Sequence, residues 1–182
     1  MHGEALATVD GTHEDRARLL REAFDRAFAE APAAALSEQV DLIGVRLGGD
    51  GFALRLVQTA GLFAGRKVTP VPTAVVELRG IAGLRGSIVP VYDLGMLIGY
   101  PRAAELRWLM LAREAAVAFA FDVFDGQMRI GSDAIVAQQG SARSHVREVA
   151  RSGDSARPII DLASIITAIG RQAAGASSRK EL

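Results

Sequence analysis

Cysteine is absent from the chain, so no disulfide staples the fold and no thiolate can serve as nucleophile or metal ligand. Aromatic residues make up only 5% of the sequence, too few for a platform that stacks nucleic-acid bases. Neither sign of charge dominates. The 21 Lys and Arg balance 21 Asp and Glu, which argues against nucleic acid or an anionic membrane as the main partner. No run of about 18 apolar residues occurs, so no membrane-spanning segment is expected. The opening stretch MHGEALATVDGTHEDR has no apolar core of a secretory signal, which points to a cytoplasmic protein. What the chain does have is 182 residues, 49% of them hydrophobic and 23% charged. That is enough to bury a core in one domain or two small subdomains.

Residues 1–13 are small and polar and read as a flexible tail. From Glu14 to Ala31 the apolar positions Ala17, Leu20, Phe24, Ala27, Phe28 and Ala31 recur at steps of three and four. This spacing predicts an amphipathic N-terminal helix, ended before Pro32, with a linker to residue 37. From residue 38 the texture changes to short apolar runs cut by Gly, Pro and Asp. Strands are predicted at Leu42–Leu47, Phe52–Val57, Ala74–Leu78, Ser87–Val91, Leu106–Leu111 and Ala116–Phe121. Gly48-Gly49-Asp50-Gly51 reads as a hairpin turn. Leu94–Ile98 and Leu162–Ile169 read as short helices capped by Gly99 and Gly170, with residues 171–182 as a flexible C-terminal tail. Pro90-Val91-Tyr92-Asp93-Leu94 is echoed by Pro158-Ile159-Ile160-Asp161-Leu162, which suggests two similar halves, each finishing on a strand-to-helix turn.

No catalytic set assembles. Asp93 and Asp161 sit where a helix N-cap is expected and are read as structural caps. Asp122 and Asp125, ahead of Gly126, read as a turn. His2, His13 and His145 have no second histidine three or four residues away, so no metal or haem site and no cofactor is expected. Gly80, Gly83 and Gly86 are spaced G-x-x-G-x-x-G, unlike a dinucleotide loop, and read as tight turns between strands. A β-rich chain of this kind points to a binding module. Arg85, flanked by Leu84 and Gly86 ahead of an apolar strand, can offer its planar fork to a carboxylate or carbonyl.

The run Leu84-Arg85-Gly86-x-Ile88-Val89-Pro90-Val91-x-Asp93-Leu94 resembles the signature of CheW-type chemotaxis coupling proteins. Similarity extends to Leu42–Leu56, to Val71-Pro72, to Phe119-Ala120-Phe121-Asp122-x-Phe124 and to Arg157-Pro158-Ile159-Ile160-Asp161-Leu162, covering about residues 38–170. Departures are Gly83 where the family has Asn, and Gln58-Thr59-Ala60-Gly61 where its second strand runs on. The resemblance implies a mainly β fold of two five-stranded SH3-like barrels packed side by side, with short helices after each half, here joined by the extra N-terminal helix. It implies a non-enzymatic adaptor that bridges a methyl-accepting chemoreceptor to a CheA-type histidine kinase. It also implies that Arg85, with Leu84 and Val89, contacts the receptor tip in a groove between the barrels. Two other readings stand beside it. One is an accessory homologue that binds receptor without kinase, or the reverse. The other is a two-barrel sensor of a small molecule.

Overall fold

The computed structural model describes residues 38–138, 143–153 and 155–178. The expected tail 1–13 and the helix and linker 14–37 lie outside the described residues. The elements in chain order are β1 (Gln39–Leu47), β2 (Asp50–Arg55), a 3-10 turn at Leu56–Gln58, β3 (Thr59–Ala64), β4 (Leu78–Leu84) and β5 (Ser87–Asp93). There follow α1 (Leu94–Leu97), β6 (Trp108–Ala112), β7 (Ala118–Phe121), β8 (Val123–Gly131), a 3-10 turn at Ser132–Ala134, β9 (Ile135–Ala137), β10 (Val146–Ser152), β11 (Ser155–Ile160) and α2 (Leu162–Ser178). The fold is mainly β, with two sheets and few helices.

Several expectations need correction. Ala74–Leu78 is a turn, closed by the Leu78 N–H donating to the Val75 carbonyl, and the strand lies one step later, at β4. Gly80 and Gly83 do not interrupt that strand; they belong to it. Asp125-Gly126 is not a turn: β8 continues through it, with Asp125 as the extra residue of a bulge opposite the Gly44–Val45 step of β1. Gly170 does not end the last helix, which continues to Ser178 through most of the expected tail. Gly99, by contrast, takes a φ of 94° just after α1 and its N–H donates to the Met96 carbonyl, as a C-terminal cap should.

The sheets have the orders β8-β1-β2-β11-β10-β9 and β3-β6-β7-β5-β4. The echo in the sequence is an echo in space. Each sheet holds an antiparallel hairpin (β1–β2 or β6–β7) whose second strand pairs in parallel with the strand that leads into a helix, β11 or β5. The halves are nevertheless not consecutive. β3 leaves the β1–β2 hairpin to pair with β6, and β8 leaves the β6–β7 hairpin to pair with β1. Each sheet lends a strand to the other.

Strand alternation sorts the side chains into three cores. In β7 every residue is buried. Ala118 and Ala120 face a core private to the second sheet, while Phe119 and Phe121 face one shared by both sheets. Ile43, Val45, Phe52 and Leu54 bring the first sheet to that shared core, and Leu162, Ile165 and Ile169 of α2 complete it. A third core, around Leu42, Ala53 and Ile159, is private to the first sheet. Fully burying each phenylalanine stabilises the fold by about 1.5–3 kcal/mol.

Candidate partner-contact site

Leu84 pairs with Ser87, leaving Arg85 and Gly86 as a two-residue hairpin loop between β4 and β5. Both take positive φ, 49° and 80°, the pattern of the turn whose twist matches its flanking strands. For Arg85 this is the left-handed region, which a non-glycine residue enters at a cost. Its side chain lies back over β3, with Cζ 6.0 Å from the centre of the Phe63 ring. Arg66 approaches the same ring at 5.9 Å. A Cβ placed on Gly61 would stand 3.1 Å from the Arg85 guanidinium, so the missing side chain there leaves the room that the fork occupies. Among the described residues no carboxylate pairs with Arg85.

Leu84 and Val89 do not share this exposure. They are 1% and 2% exposed and sit in the private core of the second sheet with Ala82, Val91 and Leu109. This corrects the expectation that they touch a partner, because their strand positions point inward, whereas Arg85 is exposed in the turn. The apolar side chain presented beside Arg85 is Ile88, 75% exposed. Counting outward positions from the turn would have found it in the sequence.

A groove of about 240 Å³ runs where the strands cross between sheets. Ile43 of β1, Leu56 of the 3-10 turn, Ala60 and Leu62 of β3, and Phe124 of β8 give it an apolar lining. Gly61 lines it too, and so links the groove to Arg85. Its walls are fixed from behind. Phe124 packs on Trp108 of β6, ring centres 5.2 Å apart. Arg113 donates from Nε to the Val57 carbonyl at 2.8 Å and from Nη2 to the Thr59 carbonyl at 3.1 Å, pinning the turn that leads into β3. That turn leaves Val57 69% exposed next to the groove. The register shift between Thr59 and Gly61 is a bulge, as a glycine-containing break in the strand pattern suggests.

Asp93 and Asp161 both occupy N-cap positions. Asp93 Oδ1 accepts from the Met96 N–H at 3.2 Å, and Asp161 Oδ1 accepts from the Ser164 N–H at 3.1 Å. They differ in surroundings. Asp93 is 1% exposed and lies 3.5 Å from Arg79 Nη1, whereas Asp161 is half-buried. Asp125, beside Phe124, is bridged by Arg46 and Arg157, each at 2.9 Å. Its desolvation would raise its pKa, but the two guanidinium groups hold it below the usual carboxylate range.

His145 Nδ1 lies 2.8 Å from Ser164 Oγ, a polar contact that no spacing in the sequence signals. Asp161 is nearby, but its Oδ1 is engaged by a backbone N–H, so the three do not form a relay of base and orienting acid. Burial is the main cause of the lowered pKa of His145, reinforced by Arg147 and opposed by Asp161. Among the described residues no group of His, Asp and Glu side chains is placed to hold a metal ion, and no helix is long and apolar enough to cross a membrane.

A family model for the CheW-like domain matches residues 41–170. Among solved structures, the scaffolding protein TtCheW from Thermoanaerobacter tengcongensis is similar, with a TM-score of 0.61 at 18% identity, over 66% of this chain and 88% of that one. No curated protein matches the chain.

Proposed function

We propose that this chain, which belongs to the CheW-like domain family, is a non-enzymatic cytoplasmic adaptor of a chemosensory array. It couples the tip of a methyl-accepting chemoreceptor to a CheA-type histidine kinase. The two sheets are read as two SH3-like barrels, the first extended by the short strand β9. The observation that carries the reading is the apolar groove between the sheets, with Arg85 reaching over Gly61 at its edge.

A receptor tip is a helical hairpin, and one apolar face of a helix fits a groove lined by Ile43, Leu56, Leu62 and Phe124. The groove supplies burial, which is non-directional. Arg85 supplies direction, since its fork suits a carboxylate or a pair of carbonyls at one register of the helix. Ile88, close to the turn, and Val57, next to Leu56 of the groove, are exposed apolar side chains that can join the contact. No bond is made or broken; the adaptor holds receptor and kinase in a fixed relation, and a change in the receptor tip is felt by the kinase through that rigid link.

Calorimetric titration of the full chain with a receptor-tip fragment, and separately with the kinase's regulatory domain, tests the reading. Arg85→Glu is expected to weaken receptor binding at least tenfold, about 1.4 kcal/mol, with the melting temperature and kinase binding unchanged. Ala60→Glu, which sets a charge in the groove, is expected to do the same. Unchanged receptor binding by both variants would overturn the assignment. Receptor binding without kinase binding would make the chain an accessory homologue.

A further inference from the structure

The second sheet carries another cavity, of about 250 Å³, built from stretches far apart in sequence. Arg66 and Val68 come from the connection between β3 and β4, and Arg79 comes from β4. Arg102 and Leu106 come from the connection between α1 and β6, and Ala120 from β7. None of these residues lines the groove between the sheets.

The charge here is one-sided. Three guanidinium groups line the cavity, and among the described residues the one carboxylate that pairs with any of them is Asp93, at 3.5 Å from Arg79 Nη1. That nitrogen also donates to the Ala103 carbonyl at 3.0 Å. Arg66 is exposed and meets the Phe63 ring, and Arg102 is exposed without an ion pair among the described residues. Like charges gathered on one opening repel, and an anion between them relieves that repulsion while filling the forks. The floor is of another character. Ala120 is fully buried, and Val68 and Leu106 pack on the same core as Leu84 and Val89. Inorganic phosphate would leave that floor uncovered, whereas an acid with an apolar body covers it. The volume falls below the range of about 300–1,000 Å³ usual for drug-sized ligands, which suits a small molecule.

We propose that this cavity binds a small organic acid, its carboxylate held between Arg66 and Arg102 beside Arg79, its apolar body against Val68, Leu106 and Ala120. The test is a titration of the full chain with hexanoate by ligand-observed NMR, with 1-hexanol and inorganic phosphate as comparators. The same titrations are run on the double variant Arg66→Ala/Arg102→Ala, whose exposed positions should leave the melting temperature unchanged. Saturable hexanoate binding is expected, at least tenfold weaker in the double variant. Hexanol, which lacks the charge, and phosphate, which lacks the apolar body, are each expected to bind at least tenfold more weakly than hexanoate. Absence of saturable hexanoate binding, equal affinity in the double variant, or phosphate binding as tight as hexanoate would each overturn the proposal.

Discussion

Arg85 is placed where conformation and contact want different residues. At φ 49° the loop favours Asn or Gly, and an arginine there costs about 1–2 kcal/mol. Arg85→Asn is therefore expected to leave stability unchanged or raise it by up to about 1 kcal/mol, while receptor binding falls at least tenfold. A variant that gains stability and keeps full affinity would show that the arginine serves no contact. The two capping aspartates make a second test, read from urea midpoints at constant slope. Asn caps as well as Asp, so Asp161→Asn should cost only a few tenths of a kcal/mol. Asp93→Asn keeps the cap but strips the half-buried Arg79 of its counter-charge, and should cost about 1–3 kcal/mol. Equal costs would mean that the Arg79 contact contributes nothing. His145 gives a pH dependence. Its folded pKa lies below the ordinary 6.5, so between the two values the unfolded chain binds more protons. Stability from this group is full above about pH 6.5 and is lost as pH falls through the folded value. The wild type should therefore lose more melting temperature between pH 7.5 and 5 than His145→Asn, which tolerates the φ of 64° at that position; equal losses would remove His145 as the cause.

At the level of elements, the sequence displays whatever alternates or is capped. β1, β2, β5, β6 and β7 were legible as apolar runs, and α1 and the start of α2 from the strand–Asp–helix echo. The misses share a physical cause. β4 and β8 carry Gly80, Gly83 and Gly126, residues that signal turns in isolation but here sit within strands, β4 in its hairpin with β5 and β8 beside the sequence-remote β1. Gly80 shows why the residue is there. Its φ is 142°, and a Cβ would meet the Thr69 carbonyl oxygen at only 2.1 Å, across the bridge between Thr69 and Ile81. Gly80→Ala should break that bridge and cost about 1–3 kcal/mol in strain, with amide exchange at Thr69 and Ile81 quickened; a variant as stable as the parent would refute the close approach. The candidate site was half legible. Arg85 could be picked out from its turn, but the groove could not, because Ile43, Leu62 and Phe124 meet only through the exchange of β3 and β8.

For the whole molecule, that exchange makes the two sheets one thermodynamic unit. Phe121 leaves the second sheet's own interior to the alanines and packs in the shared core, so Phe121→Ala should cost about 3–5 kcal/mol and loosen both sheets together. The single tryptophan, Trp108, reports on this directly, since it touches Phe124 of the strand lent to the other sheet. Its fluorescence and the far-ultraviolet circular dichroism should melt in one coincident transition; separated midpoints would mean that the sheets unfold independently. The same topology bears on how the protein is made. A chain leaving the ribosome delivers β1 and β2 first, but their outer partners β8 and β11 emerge only after the whole of the other sheet. Until the second sheet is complete Ile43 and Phe52 lack the other half of the shared core, and Leu42 waits longer still, for Ile130 of β8 and Ile159 of β11. The second sheet is therefore expected to mature first and to serve as the template on which the earlier-born hairpin closes, and a nascent chain halted after Phe121, with Leu42 still uncovered, is expected to bind a chaperone more than one halted after Ile160.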